Sequence, residues 1–166
     1  MKKLLMLGVL MGAISMVNCT ATVDVCGDYV CDASEDEYSC ATDCAADLQP
    51  DTFGTPMYPI FGSSNNYFSG SVYNAGNADA YNVRVDIMCS SNSTISTADT
   101  YTAVFYMDVP AGSYGYFYEY AYVALACDKN LYNPAGYFGY ILNDDDWIIE
   151  SNYYNNTYDP GIAYYW

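Results

Sequence analysis

Histidine is absent from all 166 residues. That removes the usual general base near neutral pH and the commonest metal ligand. Cationic side chains are nearly absent too: four Lys and Arg stand against twenty Asp and Glu, for a formal charge of -16. Two of the four, Lys2 and Lys3, lie in an acid-free leader. Its removal takes the charge from -16 to -18 and leaves Arg84 and Lys129 as the only cations. Nucleic acid and anionic membrane surfaces are therefore poor partners, so no nucleic acid is expected, while cations are plausible ones. No Ser/His/Asp or Cys/His set, phosphate loop or cofactor fingerprint can be assembled. Any carboxylate pair chosen from so acidic a chain would be arbitrary. The chain reads as not an enzyme, with no catalytic residue. No stretch keeps a 3.6-residue apolar period, which excludes a helical core.

What is present begins with the leader. Met1–Asn18 carries two lysines and then an apolar run from Leu4 to Val17. The run is short for a bilayer span and has the layout of a secretory signal, so residues 1–18 are read as a signal peptide. Met16-Val17-Asn18-Cys19 partly resembles a lipobox, with Asn18 where a small residue is usual. The resemblance implies lipidation at Cys19; ordinary cleavage after Ala21 is the competing reading. Seven cysteines are odd in number, and setting Cys19 aside leaves six to pair. Such a protein works outside the cell or in its envelope and touches membrane only through the N-terminal lipid.

Residues 19–45 form a cysteine-rich segment. Cys26, Cys31, Cys40 and Cys44 fall within nineteen residues, with Asp28, Glu35, Asp36 and Asp43 among them. The run resembles the CGDGxC…E…CxxDC element of secreted bacterial proteins, with Tyr29 in place of its usual glycine. In an exported chain the spacing reads as two disulfides, because so short a segment buries no core. Three pairings remain open. Zinc is the rival, although its sites more often show paired C-x2-C spacings. Asp28, Glu35 and Asp43 are candidate calcium ligands, set against the plain reading of solvated loop charges.

Residues 46–166 read as one β domain. Extended runs near 51–57, 66–74, 82–89, 101–109, 114–125 and 137–142 are separated by turns such as Pro110-Ala111-Gly112 and Asn133-Pro134-Ala135-Gly136. Trp147-Ile148-Ile149 reads as a further strand, closing a hairpin with Tyr137–Leu142 across the acidic turn Asn143–Asp146. The expectation is an all-β, immunoglobulin-like antiparallel β-sandwich of about seven strands, with a small N-terminal disulfide-rich segment. Val83, Val85 and Ile87 alternate with Arg84 and Asp86, giving one core face and one wet face. Cys89 and Cys127 are the remaining pair, read as a disulfide in preference to two free thiols. Asp144 and Asp146, with Glu150 and Asp99 nearby, are a second candidate calcium set that turn chemistry already explains.

Four segments in this domain resemble, in order, the motifs of the CARDB family, bacterial and archaeal extracellular modules named for cell adhesion. Ser71–Ala80 resembles its V-x-N-x-G-x-A-x-A segment and Ser90–Thr100 its S-x-D-x-T-I-x-x-S-D-T loop, with Asn92 where Asp is common. Val109–Gly112 resembles its L-x-A-G turn, and Glu150–Thr157 its ESNxxNNT ending. The resemblance implies an immunoglobulin-like sandwich that is non-catalytic and mediates adhesion or envelope assembly.

One strand offers a surface. Tyr114, Tyr116, Tyr118, Tyr120 and Tyr122 share one face of it, and Gly115, Phe117, Glu119, Ala121 and Val123 the other. The family pattern implies that Phe117 points inward, which puts the tyrosines outside and leaves Glu119 awkwardly on the inner face. Tyr116, Tyr118, Tyr120 and Tyr122 are the candidate ligand-binding residues, for a glycan, with calcium assisting, or for a protein at the cell surface. Self-association into a filament through these strands and the tail Ala163–Trp166 is the alternative, and tyrosines that merely cover the sheet are the plain reading.

Overall fold

In a computed structural model, residues 26–55, 59–123, 127 and 136–159 are described, with the backbone alone at 163–164. The leader, Cys19 and residues 165–166 lie outside them. A four-residue helix, α1 (Ala41–Cys44), closes the cysteine-rich segment. Eight strands follow: β1 (Leu48–Gly54), β2 (Ser63–Asn74), β3 (Ala80–Ser90), β4 (Thr100–Val109), β5 (Tyr114–Val123), β6 (Gly136–Leu142), β7 (Thr157–Tyr158) and β8 (Ala163–Tyr164). One sheet has the order β1-β2-β5; the other has β4-β3-β6-β7, with β8 also on β6. All strand pairings are antiparallel. The protein is an all-β, immunoglobulin-like sandwich with disulfides in its N-terminal segment.

Period-two alternation builds the core. Val83, Val85 and Ile87 of β3 face Phe68 and Val72 of β2 and Phe117 and Val123 of β5, all fully or nearly buried. Gly70 leaves the space over β2 that the Phe117 ring fills: a Cβ there would run into that ring and the Thr52 carbonyl. Outside the second sheet a smaller cluster forms where Ile95, from the loop after β3, covers Met88 and Ile141.

Tyr140 links the sheets through the middle of the core. It is fully buried on β6, with its ring 5.2 Å from that of Phe53 and 5.6 Å from that of Phe117. The β1–β2 register slips between Pro50 and Thr52, and the slip leaves the Asp51 N–H to donate to the Tyr140 hydroxyl at 3.2 Å. That hydroxyl donates in turn to the Ser71 carbonyl at 2.8 Å. Burial raises the phenol's pKa strongly, so it stays a donor at every physiological pH. Tyr140→Phe keeps the ring and orphans both backbone groups. It is expected to cost about 1–3 kcal/mol in denaturant unfolding; a loss under about 0.5 kcal/mol would mean that water replaces the hydroxyl.

The segment after β6 departs from the sequence expectation. Trp147–Ile149 is no strand. The Asn143 side chain accepts the Ile148 N–H at 2.9 Å and donates to the Ile148 carbonyl at 2.8 Å, so neither group can join a ladder. On the side of β6 away from β3, the partner at this end is β7, where Thr157 and Tyr158 lie opposite Ile141 and Tyr140. β1 also starts earlier than the sequence suggests, at Leu48, whose N–H donates to Glu150 Oε2 at 2.9 Å.

Cys26 pairs with Cys40 and Cys31 with Cys44, two interleaved bridges with Cα separations of 5.5 and 4.9 Å. Cys89 pairs with Cys127 at 5.8 Å and joins the main core cluster.

Candidate functional site

The β5 sequence alternates without a break, and the strand obeys it. Tyr114, Tyr116, Tyr118, Tyr120 and Tyr122 are 49–69% exposed, while Gly115, Phe117, Ala121 and Val123 are buried. Tyr114, Tyr116 and Tyr118 stand in a column, with ring centroids 6.4 and 6.3 Å apart and planes within 28° of parallel. β2 widens the surface: Tyr67 lies opposite Tyr120 with rings 5.2 Å apart, and Tyr73 opposite Tyr114 at 4.9 Å. Tyr67 and Tyr73 escape a reading that looks only for consecutive alternation of tyrosine. Their signal is the Tyr67-Ser69-Ser71-Tyr73 series at the same period in the neighbouring strand.

Small polar residues fill the middle of this face. Ser71, opposite Tyr116, donates to Asp51 Oδ2 at 2.7 Å and shares a 2.6 Å hydrogen bond with Thr52. The face thus has aromatic ends, a hydroxyl-lined centre and one exposed carboxylate. Cross-strand ring pairs of this kind stabilise the sheet by about 0.5–1.5 kcal/mol each and hold the rings in place.

Glu119 follows the inner-face alternation and is nevertheless exposed. Among the described residues β5 and β4 are the unpaired edges of the two sheets on one side of the sandwich. Between them runs an open groove of about 680 Å³, with Phe105 and Phe117 among its lining residues and Glu119 and Tyr106 beside them. An inward direction at a sheet edge therefore leads to water.

Arg84 is the only cation among the described residues, and it is already occupied. Its Nε donates to Asp86 at 3.0 Å, and Nη1 lies 3.7 Å from Asp145. Asp86 is buried, and desolvation raises its pKa despite the guanidinium. Among the described residues no free positive group is left to attract an anion.

The acids proposed for calcium are not gathered by the described structure. Asp43 is fully buried and accepts the N–H groups of Gly27, Asp28 and Tyr29 at 2.6, 3.2 and 3.0 Å, which makes it the structural centre of the cysteine-rich loop. To aim those amides, Tyr29 takes a left-handed φ of 69°, which explains the glycine usual at that place. Asp28 caps its own turn through the Val30 N–H, and Glu35 accepts that of Asp32. Asp144 and Asp146 are exposed in the turn after β6. Asp99 accepts from Ser96, and Glu150 is buried among hydrogen-bond donors. Among the described residues one group of side chains has metal-ligand spacing, Cys26, Cys40 and Asp43, and its two sulfurs are joined in a disulfide. A disulfide offers no thiolate to a metal.

No protein-family model matches the chain, and no curated protein matches it in sequence. Among solved structures it is similar to the crystal structure of the CARDB domain of a Pyrococcus furiosus protein, in complex with di-metal ions. The two are 11% identical, with a TM-score of 0.45 over 68% of this chain and 83% of that one.

Proposed function

We propose that this chain is an exported, non-catalytic surface protein whose immunoglobulin-like domain mediates adhesion or envelope assembly by binding a protein or glycan through its tyrosine face. The observation that carries this reading is the face of five exposed tyrosines on β5, widened by Tyr67 and the half-exposed Tyr73 of β2. Tyrosine combines a rigid apolar body with a polar tip, and so contributes large contact area at low entropic cost. The acidic balance of the chain argues for a neutral or cationic partner. The lack of histidine argues against acid–base chemistry. The apolar leader and three disulfides support export to an oxidising compartment.

The test is cosedimentation of the oxidised protein with envelope fragments and insoluble neutral polysaccharides. Tyr116→Ser/Tyr118→Ser and Tyr118→Ala/Tyr120→Ala are expected to weaken retention about tenfold or more, since each lost ring contact is worth about 0.5–1.5 kcal/mol. These positions are exposed, so the fold should persist, with the unfolding midpoint lowered only by the few degrees that the lost ring pairs are worth. Retention of both variants at the wild-type level would overturn the reading. A second reading, assembly between copies, is favoured by β5 itself, a ten-residue sheet edge whose one charge is Glu119. Light scattering on the same proteins separates the two: self-assembly gives a concentration-dependent mass that the variants lose.

A further inference from the structure

Where the cysteine-rich segment meets the sandwich, three chain segments enclose a groove of about 270 Å³ that lies apart from the tyrosine face. Tyr38 comes from the cysteine-rich segment, Tyr81 from β3 and Trp147 from the turn after β6, and they are 80%, 61% and 76% exposed. Glu37 and Asp79 line the same groove, with Ile149 among its apolar residues.

The parts are held in place by bonds unrelated to one another. Asn77 donates its side-chain amide to the Asp43 carbonyl at 2.7 Å and its N–H to the Ala45 carbonyl at 3.1 Å, which fixes the cysteine-rich segment against the domain. The Asn143 bonds to Ile148 pin the loop that carries Trp147. Asn143 and Asp146, with φ of 50° and 51°, fold that loop so that the indole stays in water. Tyr81 donates its hydroxyl to Asp79 at 2.9 Å, which orients the ring, and Asp79 accepts the Ala111 N–H at 2.9 Å. These bonds, that from Ala111 foremost, lower the Asp79 pKa and keep it ionised. Tryptophan is seldom this exposed, and here it stands beside two more rings and two carboxylates.

Charge complementarity identifies the occupant. Aromatic faces and carboxylates both attract cations, and Arg84, the one cation of the described residues, is bound elsewhere. A bare metal ion is a poor fit, because the acids here do not converge to ligand spacing. A large, weakly hydrated cation that presents methyl groups to the rings is a good one. We propose that this groove binds a quaternary ammonium group, with Trp147, Tyr38 and Tyr81 contacting its methyls and Glu37 and Asp79 supplying the counter-charge.

Titration of the oxidised full chain with choline, followed by calorimetry and by the choline methyl signal in NMR, tests this. Binding is expected in the millimolar range, as for exposed aromatic cages. Trp147→Ala should weaken it about tenfold or more, and Trp147→Phe less, in line with the weaker ring. The neutral isostere 3,3-dimethyl-1-butanol should bind at least about tenfold more weakly than choline, since the cation supplies the attraction. Equal binding of the isostere would overturn the proposal, as would undiminished binding by Trp147→Ala or no binding at about 10 mM choline. Unfolding midpoints of the variants, expected to match the wild type, separate lost contact from lost fold. Cosedimentation with phosphatidylcholine vesicles then distinguishes a lipid headgroup, which pellets the protein, from a soluble or polymer-borne ammonium, which does not; both sources keep the assignment. Tyr118→Ala/Tyr120→Ala should bind choline normally, so this site and the tyrosine face can fail separately.

Discussion

Replacing Glu150 with alanine is expected to destabilise the domain by about 3–5 kcal/mol, or about 10–20 °C in the calorimetric midpoint. Glu150 is 3% exposed and accepts three hydrogen bonds. The Leu48 N–H reaches Oε2 at 2.9 Å, and the amides of Asn143 and Asn156 reach Oε1 at 2.7 and 2.8 Å. The first of these closes a separation of 102 residues, tying the start of β1 to the C-terminal loop. Removing the carboxylate leaves three buried donors, each costing about 1–3 kcal/mol if unsatisfied, with some recovered by water. Glu150→Gln should fall between, because its one oxygen serves one side of the clasp while its NH2 faces donors on the other.

The same group sets a pH dependence. Burial raises the Glu150 pKa above its ordinary 4.5, although the three hydrogen bonds oppose the shift. A carboxyl with a raised folded-state pKa binds protons more tightly when native. Its contribution is therefore most favourable at low pH and declines as pH rises from about 4.5 through the raised value. Asp86, also raised by desolvation, acts in the same direction. The wild type should gain stability on mild acidification from neutral pH, and Glu150→Gln should gain less. A wild-type midpoint that falls steadily between pH 7 and 5 would contradict this, as would an alanine variant within about 2 °C of wild type.

Glu150 also shows why the sequence speaks more clearly of fold than of binding. The residues that carry the resemblance to CARDB motifs are largely buried wiring. Asn74 accepts from Asp47 and Gly76 and donates to the carbonyls of Ala78 and Val109, so one side chain fixes two loops. Asn143, just before the ending motif, and Glu150 and Asn156 within it form the clasp. Such residues recur with an architecture whatever its surface does. The alternation in β3 and β5 is legible for a different reason, since period two maps directly onto the two faces of a sheet. Alternation does not reveal how near a strand lies to its sheet's edge, and Glu119 is read awkwardly on that account. Nor does composition reveal which carboxylates are consumed by backbone amides. Asp43 looks like a ligand in the sequence and is the core of a turn in the structure. The run Trp147-Ile148-Ile149 has the apolarity of a strand, and only the two bonds from Asn143 decide against it. Tyr38, Tyr81 and Trp147 come together from positions spread over more than a hundred residues, and no local pattern could join them.

Removing the Cys89–Cys127 bridge is expected to cost about 3–4 kcal/mol, read as a lower denaturant midpoint for Cys89→Ala/Cys127→Ala. The bridge spans 38 residues, a longer closure than the 14 and 13 of the N-terminal pair. Loop entropy rises with length, so this crosslink restricts the unfolded chain most. Both cysteines are buried in the main cluster, so their truncation also removes packing there, beside Phe138, which lies opposite Cys89. The N-terminal bridges act more locally. Without Cys31–Cys44, the amides of Gly27, Asp28 and Tyr29 lose the chain closure that presents them to Asp43. The sandwich keeps its own core of Phe68, Val83, Tyr140 and their neighbours. Cys31→Ala/Cys44→Ala should therefore leave the main unfolding transition near its wild-type midpoint and make the first twenty described residues sensitive to protease. If that variant instead lowers the main transition as far as Cys89→Ala/Cys127→Ala does, the cysteine-rich segment is part of the sandwich's cooperative unit. The Asn77 bonds to Asp43 and Ala45 would then carry stability across the junction as well as position.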